Sequence, residues 1–173
     1  MARNIEVKAR IDGLSDVRAG LAALPCHGEH HLCQTDTFFH VVRGRLKLRQ
    51  FADGTGELIF YERPDEAGPK LSQYGRIPCH DAVPLLRALS TAVGVRGVIR
   101  KRRQVVLIGN TRIHLDEVEG LGSFLELEVV LRDSDTVAAG QRTAAELLQI
   151  LGIPESQLVS GAYLDLLEQG QVP

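Results

Sequence analysis

The 173-residue sequence lacks what several classes of protein require. Its formal net charge is only −2, which argues against a general nucleic-acid binder and requires any basic site to be local. None of its apolar runs approaches the roughly 20 residues that span a bilayer, so we expect no membrane insertion. The residues after Met1 form no apolar segment of the kind that secretory signals carry. These absences favour a cytoplasmic protein.

Cysteine is also scarce, with three residues at positions 26, 33 and 79. They form no Cys-x-x-Cys pair, and an odd number suits a reducing compartment better than a disulfide framework. Cys26 and Cys33 enclose three histidines, but their spacing matches no standard structural zinc site. We interpret this segment as a polar loop that enters a strand, with metal binding as the less favoured alternative.

Ordinary amounts of apolar and charged residues are present, at 44% and 24%. A chain of this length and composition can form one domain over residues 1–173. Ile5 to Ile11 alternates apolar and charged residues, which is typical of a β-strand with one charged face. The same period recurs in five segments, namely 45–49, 59–63, 99–103, 112–116 and 124–128. One such strand could expose a solvated face, but six indicate a shared charged surface.

Turn and cap residues complete the predicted architecture. Strands are expected at 34–42, 45–51, 57–63, from Lys70 to about Pro78, and at 98–108, 111–118 and 123–131. Helices are expected after Ser15 and after Asp81, over 136–151, and as a short amphipathic piece from Tyr163 to Leu167. About eight mostly antiparallel strands with three or four helices define an α+β fold.

The charged faces of these strands are predicted to point inward. If the apolar faces filled a closed barrel, the helices would have no apolar surface to cover. We therefore predict an eight-stranded antiparallel barrel, or tunnel, with a charged lumen and with the helices packed on the outside. A one-sided sheet with a solvated charged face is the alternative. Because cations outnumber carboxylates on this face, we expect like-charge repulsion in the empty lumen, which a polyanion would relieve.

Both kinds of charge in such a lumen have a recognisable chemistry. Guanidinium groups suit phosphate oxygens, and clustered carboxylates suit a hard divalent cation such as Mg²⁺ or Mn²⁺. Cations and carboxylate-bound metal around one space are typical of phosphoryl or nucleotidyl transfer.

The motifs resemble those of the CYTH superfamily, the triphosphate tunnel metalloenzymes, over nearly the whole chain. The family's Glu-x-Glu-x-Lys signature falls on Asn4, Glu6 and Lys8, so that asparagine replaces the first glutamate. The remaining motifs fall, in chain order, on Arg45, Lys47 and Arg49; on Tyr61 and Arg63; on Lys70 and Ser72; on Lys101 and Arg103; and on Asp116, Glu126 and Glu128.

This resemblance implies a triphosphate held by basic residues and two divalent ions, Mg²⁺ or Mn²⁺, held by acidic ones. Lys8 and Glu6 are the candidate catalytic residues. The candidate metal ligands are Glu6, Asp116, Glu126 and Glu128. The candidate substrate-binding residues are Arg45, Lys47, Arg49, Tyr61, Arg63, Lys70, Lys101, Arg103 and Arg112. We regard His114, on the same face as Arg112 and Asp116, as a satisfied barrel histidine.

Two segments, 36–39 and 115–122, look most similar to the class IV adenylyl cyclase branch. The resemblance therefore implies conversion of ATP to cyclic AMP and pyrophosphate. One alternative is hydrolysis of the terminal phosphate of tripolyphosphate, thiamine triphosphate or a nucleotide. Another is a non-catalytic polyphosphate or nucleotide binder, which the missing carboxylate at Asn4 supports. The expected partner is a small-molecule triphosphate, without nucleic acid or membrane, and a homodimer is one oligomeric option.

Overall fold

Eight antiparallel strands close into a barrel in the computed structural model, which describes residues 1–170 apart from the side chain of Asp16. The strands are β1 (Ala2–Ile11), β2 (Glu29–Phe39), β3 (Arg45–Phe51), β4 (Gly56–Glu62), β5 (Lys70–Cys79), β6 (Val95–Ile108), β7 (Thr111–Val118) and β8 (Gly122–Leu131). The helices are α1 (Leu14–Ala22), α2 (Ala82–Val93), α3 (Val137–Ile150) and α4 (Tyr163–Glu168), with a short 3₁₀ turn at Glu155–Gln157. The predicted α+β barrel is confirmed.

Short hairpins account for most of the strand order around the barrel. The order is β1-β5-β4-β3-β2-β6-β7-β8, and β8 returns to pair with β1. The strands β2 to β5 form one meander and β6 to β8 form another; short turns join most of these strands, and the longer segment 63–69 joins β4 to β5. Gly44, Gly54 and Gly109 adopt positive φ angles in these turns, a conformation that glycine tolerates best. Closure leaves no edge strand unpaired.

The apolar faces of the strands point outward, as predicted. Ile5 and Val7 of β1 and Leu127 of β8 are fully buried, in a cluster that includes Leu147 and Leu148 of α3. A second cluster combines Leu48 of β3 with α2 residues on another part of the barrel wall. The hydrophobic core therefore lies between the sheet and its helices, and the lumen is left to the charged faces.

A third apolar cluster closes one end of the barrel from within. Tyr163 and Leu164 of α4 pack among Phe38, Ile99 and Phe124, which lie on the inward faces of three strands. The rings of Phe124 and Tyr163 meet edge to face with centroids 4.9 Å apart. The sequence predicted this short helix but not its position inside the barrel end.

Some predicted boundaries were wrong. Strand β2 begins at Glu29 and ends at Phe39, so much of the expected histidine-rich loop is strand, whereas Val42 is not. The reason is β6, whose 14 residues pair with β2 from Glu29 onward. Helix α1 begins at Leu14 with Gly13 as its N-cap, ahead of the predicted cap at Ser15.

Other predicted helix starts were correct, because the side chains of Asp81 and Thr136 accept bonds from the backbone N–H groups of Val83 and Ala139. In the described part of the chain, no helix is long and apolar enough to cross a membrane. A single domain over residues 1–173 stays a prediction, and its last three residues lie outside the described range.

We predict that Leu127→Ala destabilises the protein by about 2–5 kcal/mol, because it removes a fully buried side chain between the barrel and its helices. For a domain of this size the melting temperature should fall by about 4–20 °C. The control is Val83→Ala on α2, where the side chain is 54% exposed; it should change stability by less than about 0.5 kcal/mol. Equal effects of the two changes in thermal unfolding would contradict the outward-facing core.

Candidate active site

The barrel encloses a cavity of about 310 Å³. Most of the predicted site residues line it, and they come from six of the eight strands and from Arg63, directly after β4. Three do not reach its surface, namely Arg45, Lys70 and Asp116. The lining also includes residues that the sequence did not assign, among them Gln34, Asp36, His114 and Tyr163.

A buried carboxylate organises the cations of β3. Asp36 is only 2% exposed and pairs with Arg49 across the β2–β3 ladder. The Arg49 guanidinium donates two bonds of 2.8 Å to it, and the Lys47 ammonium donates a third of 2.8 Å. Burial alone would raise the pKa of Asp36, but Arg49 and Lys47 outweigh it and hold that pKa well below its usual range. The two-residue period of β2 signalled this inward carboxylate, although it was not predicted as a site residue.

Asp116 has a similar role on β7, and its environment is crowded with donors. Arg103 donates two bonds of 2.6 Å, Lys101 one of 3.2 Å, and the Tyr163 hydroxyl one of 2.8 Å. The carboxylate is fully buried and lies outside the cavity surface. These contacts favour a role in orienting the two cations over the predicted role as a metal ligand.

Burial has a large effect on Lys101. Together with the nearby Arg103 charge, it lowers the pKa of this lysine to about 7. Lys70 behaves in the same direction, since burial and Arg63 lower its pKa to about 8. The lumen therefore contains lysines that can change charge near neutral pH.

A group of carboxylates and one imidazole lies beside these cations. One ligand atom from each of His114, Glu126 and Glu128 can be chosen so that all three lie within 4.8 Å of one another. The His114 Nδ1 atom is 3.3 Å from Glu126 and 3.9 Å from Glu128. Lys8 lies 3.3 Å from Glu126 and 3.9 Å from Glu6. His114 was predicted to be a satisfied barrel histidine, and its buried Nδ1 atom is within hydrogen-bonding distance of Glu126; the same atom faces two candidate metal ligands.

The charge state of this group suits a divalent cation. Burial raises the pKa of Glu6 to about 7, and the negative charge of Glu126 contributes to the same shift. Burial together with the Arg103 charge lowers the pKa of His114, which favours the neutral imidazole that metals bind. Burial would raise the pKa values of Glu126 and Glu128, but neighbouring cations, Lys8 and Arg112 among them, outweigh it and keep both carboxylates ionised. Charged carboxylate oxygens are the donors that a hard cation such as Mg²⁺ or Mn²⁺ takes. The residues therefore fit a metal.

The remaining predicted residues lie at the margins of the cavity. Arg63 forms an ion pair of 3.0 Å with Glu6. Arg112 pairs with Glu128 at 2.6 Å. Arg45 instead binds Asp165 of α4 at 2.7 Å and an exposed aspartate.

Burial raises the pKa of Tyr61, so its hydroxyl stays protonated. Lys70 lies 3.4 Å from the Gly68 carbonyl oxygen.

The family model for the CYTH domain matches residues 2–163 of this chain. The chain belongs to the CYTH domain family. A match over nearly the whole barrel confirms the resemblance that the motifs indicated. It also agrees with the fold, which was derived from strand periodicity without reference to any relative.

Two curated relatives carry adenylate cyclase names. The chain is 30% identical to adenylate cyclase CyaB of Aeromonas hydrophila over 104 residues, which cover 59% of this chain and 54% of that protein. It is 25% identical to a putative adenylate cyclase of Methanocaldococcus jannaschii over 173 residues, which cover 94% of this chain and 97% of that one. The first match therefore spans about half of the relative.

Solved structures share the fold at lower identity. A Pyrococcus horikoshii protein superposes with a TM-score of 0.81 at 23% identity, covering 94% of this chain and 98% of its own. A putative adenylyl cyclase from Hippeastrum superposes with a TM-score of 0.65 at 19% identity, covering 98% and 96%. At these identities the likeness shows the CYTH barrel alone.

The lumen of this CYTH protein is charge-compensated, which differs from the predicted repulsion in the empty state. Carboxylates alternate with cations, so that Arg49 faces Asp36, Arg63 faces Glu6 and Arg103 faces Asp116. The count along single strands overlooked Asp36 and could not show which charges meet. A polyanion entering the cavity must therefore compete with carboxylates for these cations.

The histidine-rich segment does not gather into a metal site. The Cys26 thiol donates to the Leu21 carbonyl oxygen, and His31 contacts Glu29 at 2.8 Å on the surface. Across residues 1–170, the ligand atoms close enough together to hold a metal are those of the His114 group.

We predict that Asp36→Asn lowers the stability of the ligand-free protein by about 3–5 kcal/mol, because it leaves the buried Lys47 and Arg49 without their counter-charge. The melting temperature should fall by about 6–20 °C. Tripolyphosphate should raise the melting temperature of this variant more than that of the wild type, since a phosphate can replace the missing anion.

The control for this change is Glu62→Gln, which breaks the exposed pair with Arg43 and should cost less than about 1 kcal/mol. If Asp36→Asn has the same melting temperature as the wild type, the Asp36 carboxylate does not compensate the charges of Lys47 and Arg49.

Lys101 predicts a pH dependence with a defined sign. Its folded pKa of about 7 lies below the usual lysine value of 10.5, so between these values the folded state binds fewer protons than the unfolded state. Stability should therefore rise with pH in this window, by up to about 1.4 kcal/mol per pH unit, and the penalty is fully present below pH 7. Lys101→Met should remove this slope. Denaturant unfolding of both proteins from pH 6.5 to 9.5 measures it, and parallel curves would disprove the assignment.

Proposed function

We propose that this CYTH protein is a metal-dependent enzyme that acts on a triphosphate bound in the barrel, and that it converts ATP to cyclic AMP and pyrophosphate. One observation carries the proposal. Buried cations and a carboxylate–imidazole group line the same cavity, and Arg103 joins them because it contacts both Asp116 and Glu126 at 2.6 and 2.7 Å. This pairing of charges is what positions and neutralises a transferring phosphoryl group.

The triphosphate would bind to the cations of β3 and β6. Arg49 and Arg103 present planar guanidinium groups, which bind phosphate oxygens through two parallel hydrogen bonds. Lys47 and Lys101 add charge from the same strands. Because Asp36 already holds Arg49 and Lys47 in place, these side chains are pre-oriented, and substrate binding exchanges a carboxylate for a phosphate.

Glu6, Glu126, Glu128 and His114 would hold the metal. A bound divalent ion would supply positive charge to phosphate oxygens and lower the barrier to nucleophilic attack at phosphorus. We leave Asp116 out of this set because four donor bonds already occupy it. Two ions remain the prediction that the family resemblance implies.

Lys8 and Glu6 remain the proposed catalytic residues. Lys8 lies between Glu6 and Glu126, and its ammonium is 4.3 Å from the centre of the Tyr163 ring. The ammonium can neutralise negative charge that develops on the substrate during transfer. Glu6 touches both Lys8 and Arg63, so its carboxylate lies where the cationic and acidic parts of the cavity meet.

Hydrolysis of the terminal phosphate is the second candidate. The Hippeastrum protein of the same fold is described as a putative adenylyl cyclase with a dominant triphosphatase activity. Both reactions use the same cationic cavity and metal, and they differ in the nucleophile and in the phosphorus attacked. The cyclase names of the two curated relatives support the first candidate.

The deciding experiment is product analysis after incubation with ATP or tripolyphosphate and Mg²⁺ or Mn²⁺. We expect cyclic AMP and pyrophosphate from ATP, and no product when a chelator removes the metal. Orthophosphate would support the hydrolase, and tight binding without products would support the non-catalytic binder. Absence of binding to any triphosphate would disprove the proposal.

We further predict that Arg103→Met lowers kcat/KM by about 10- to 150-fold, the range for a hydrogen bond to a charged group. The matched control is Arg102→Met, one residue away on the outer face, where the side chain is 75% exposed. Melting curves must show that both variants fold. Equal values of kcat/KM for the two variants would show that Arg103 does not contribute to the proposed site.

A further inference from the structure

Gln34 is a buried polar residue in the cavity wall. It has no role in the proposed chemistry, and no contact described above explains its burial. Its side chain is 4% exposed, and it lines the cavity between Leu32 and Asp36 on the inward face of β2. Its Oε1 atom has no hydrogen-bond partner among the described residues. Buried amide oxygens are rarely left unpaired, because desolvation without a hydrogen bond is unfavourable. The unpaired Gln34 Oε1 atom therefore suggests that a bound ligand supplies the missing hydrogen-bond donor.

The surroundings of Gln34 are apolar on one side. Phe51 is its direct neighbour across the β2–β3 ladder, and Leu32 is two residues away on the same face. Val105 of β6 lines the cavity close by, because Leu32 pairs with Arg103 two residues before it. We call Leu32, Phe51 and Val105 the apolar wall. Cavities that bind organic ligands combine such surfaces with a few placed polar groups.

On its other side, Gln34 adjoins the phosphate-binding cations. Lys101 is its direct neighbour on β6, and Asp36, which holds Arg49, is the next inward residue on β2. Two residues along a strand span about 6.8 Å. The Asp36 carboxylate occupies a position that a phosphate would take, so the apolar wall begins one inward residue away from the phosphate positions.

We propose that the apolar wall binds the aromatic ring of an organic triphosphate, and that Gln34 Oε1 accepts a hydrogen bond from an exocyclic amine on that ring. The inference rests on the proposed function, since the triphosphate itself must bind to the cations. It selects among substrates, because inorganic tripolyphosphate has neither an apolar surface nor an amine donor. An aminopurine nucleotide such as ATP has both, and so does the aminopyrimidine of thiamine triphosphate.

The test compares ligands that differ by the amine. Dissociation constants are measured by calorimetry for ATP, for purine riboside triphosphate, which lacks only the 6-amino group, for thiamine triphosphate and for tripolyphosphate, all with a chelator in place of the metal so that no turnover occurs. The wild type should bind ATP about three- to tenfold more tightly than purine riboside triphosphate, the range for one neutral hydrogen bond. Tighter binding of thiamine triphosphate than of ATP would assign the aminopyrimidine as the ring, with the same role for Gln34.

The variant Gln34→Met keeps the length of the side chain and removes the amide. Each affinity is expressed relative to that for tripolyphosphate with the same protein, so that changes in the phosphate site cancel. The preference for the amine-bearing ligand should disappear in Gln34→Met. It should persist in Gln73→Met, a matched change on β5 at a residue that is exposed and lies outside the cavity lining.

Two results overturn the inference. In the first, the wild type binds tripolyphosphate but binds ATP and thiamine triphosphate no more tightly than ligands without the amine. This result needs the wild type only, so it is decisive even if Gln34→Met does not fold. The other is a preference that survives in Gln34→Met. Failure of the wild type to bind any triphosphate, tripolyphosphate included, would overturn the proposed function and this inference with it.

Discussion

Pairing of opposite charges inside a closed sheet is the constraint on which the rest of this structure depends. The barrel turns most of its apolar side chains outward to the helices, so much of its interior is lined by side chains that carry charge. Burying one charge without a partner is unfavourable by several kcal/mol, and the lumen avoids this by setting Asp36 against Arg49 and Asp116 against Arg103. The barrel can be both closed and polar because these pairs meet across neighbouring strands.

The same pairs prepare the cavity for a polyanion. Arg49 and Arg103 each donate two hydrogen bonds to a carboxylate, so their guanidinium planes are already fixed before a ligand enters. Pre-oriented groups lose little conformational entropy on binding. The carboxylates also set an electrostatic threshold, because a ligand must interact with the cations more favourably than the internal anions do. The triphosphate of the proposed function would have to meet that requirement.

Helix α4 connects the end of the chain to this network. The Tyr163 hydroxyl donates to Asp116, and its ring lies under the ammonium of Lys8. Asp165 binds Arg45 and Arg96, which secures the helix to β3 and β6. Helix α4 at the closed end of the cavity is therefore tied to the site through the hydrogen bond from Tyr163 to Asp116. A change in the charges of the lumen should affect the position of this helix.

The sequence alone determined the strand periodicity, the inward direction of the charges and most of the charged residues of the cavity lining, because alternation along a strand is a local property. The tertiary structure decided which of these side chains form ion pairs and hydrogen bonds with one another. Asp36 meets Arg49, and Tyr163 meets Asp116 across 47 residues of sequence, only once the sheet closes. The isolation of Gln34 Oε1 is likewise a result of closure. Side-chain contacts across a barrel depend on register and shear, which no single strand specifies.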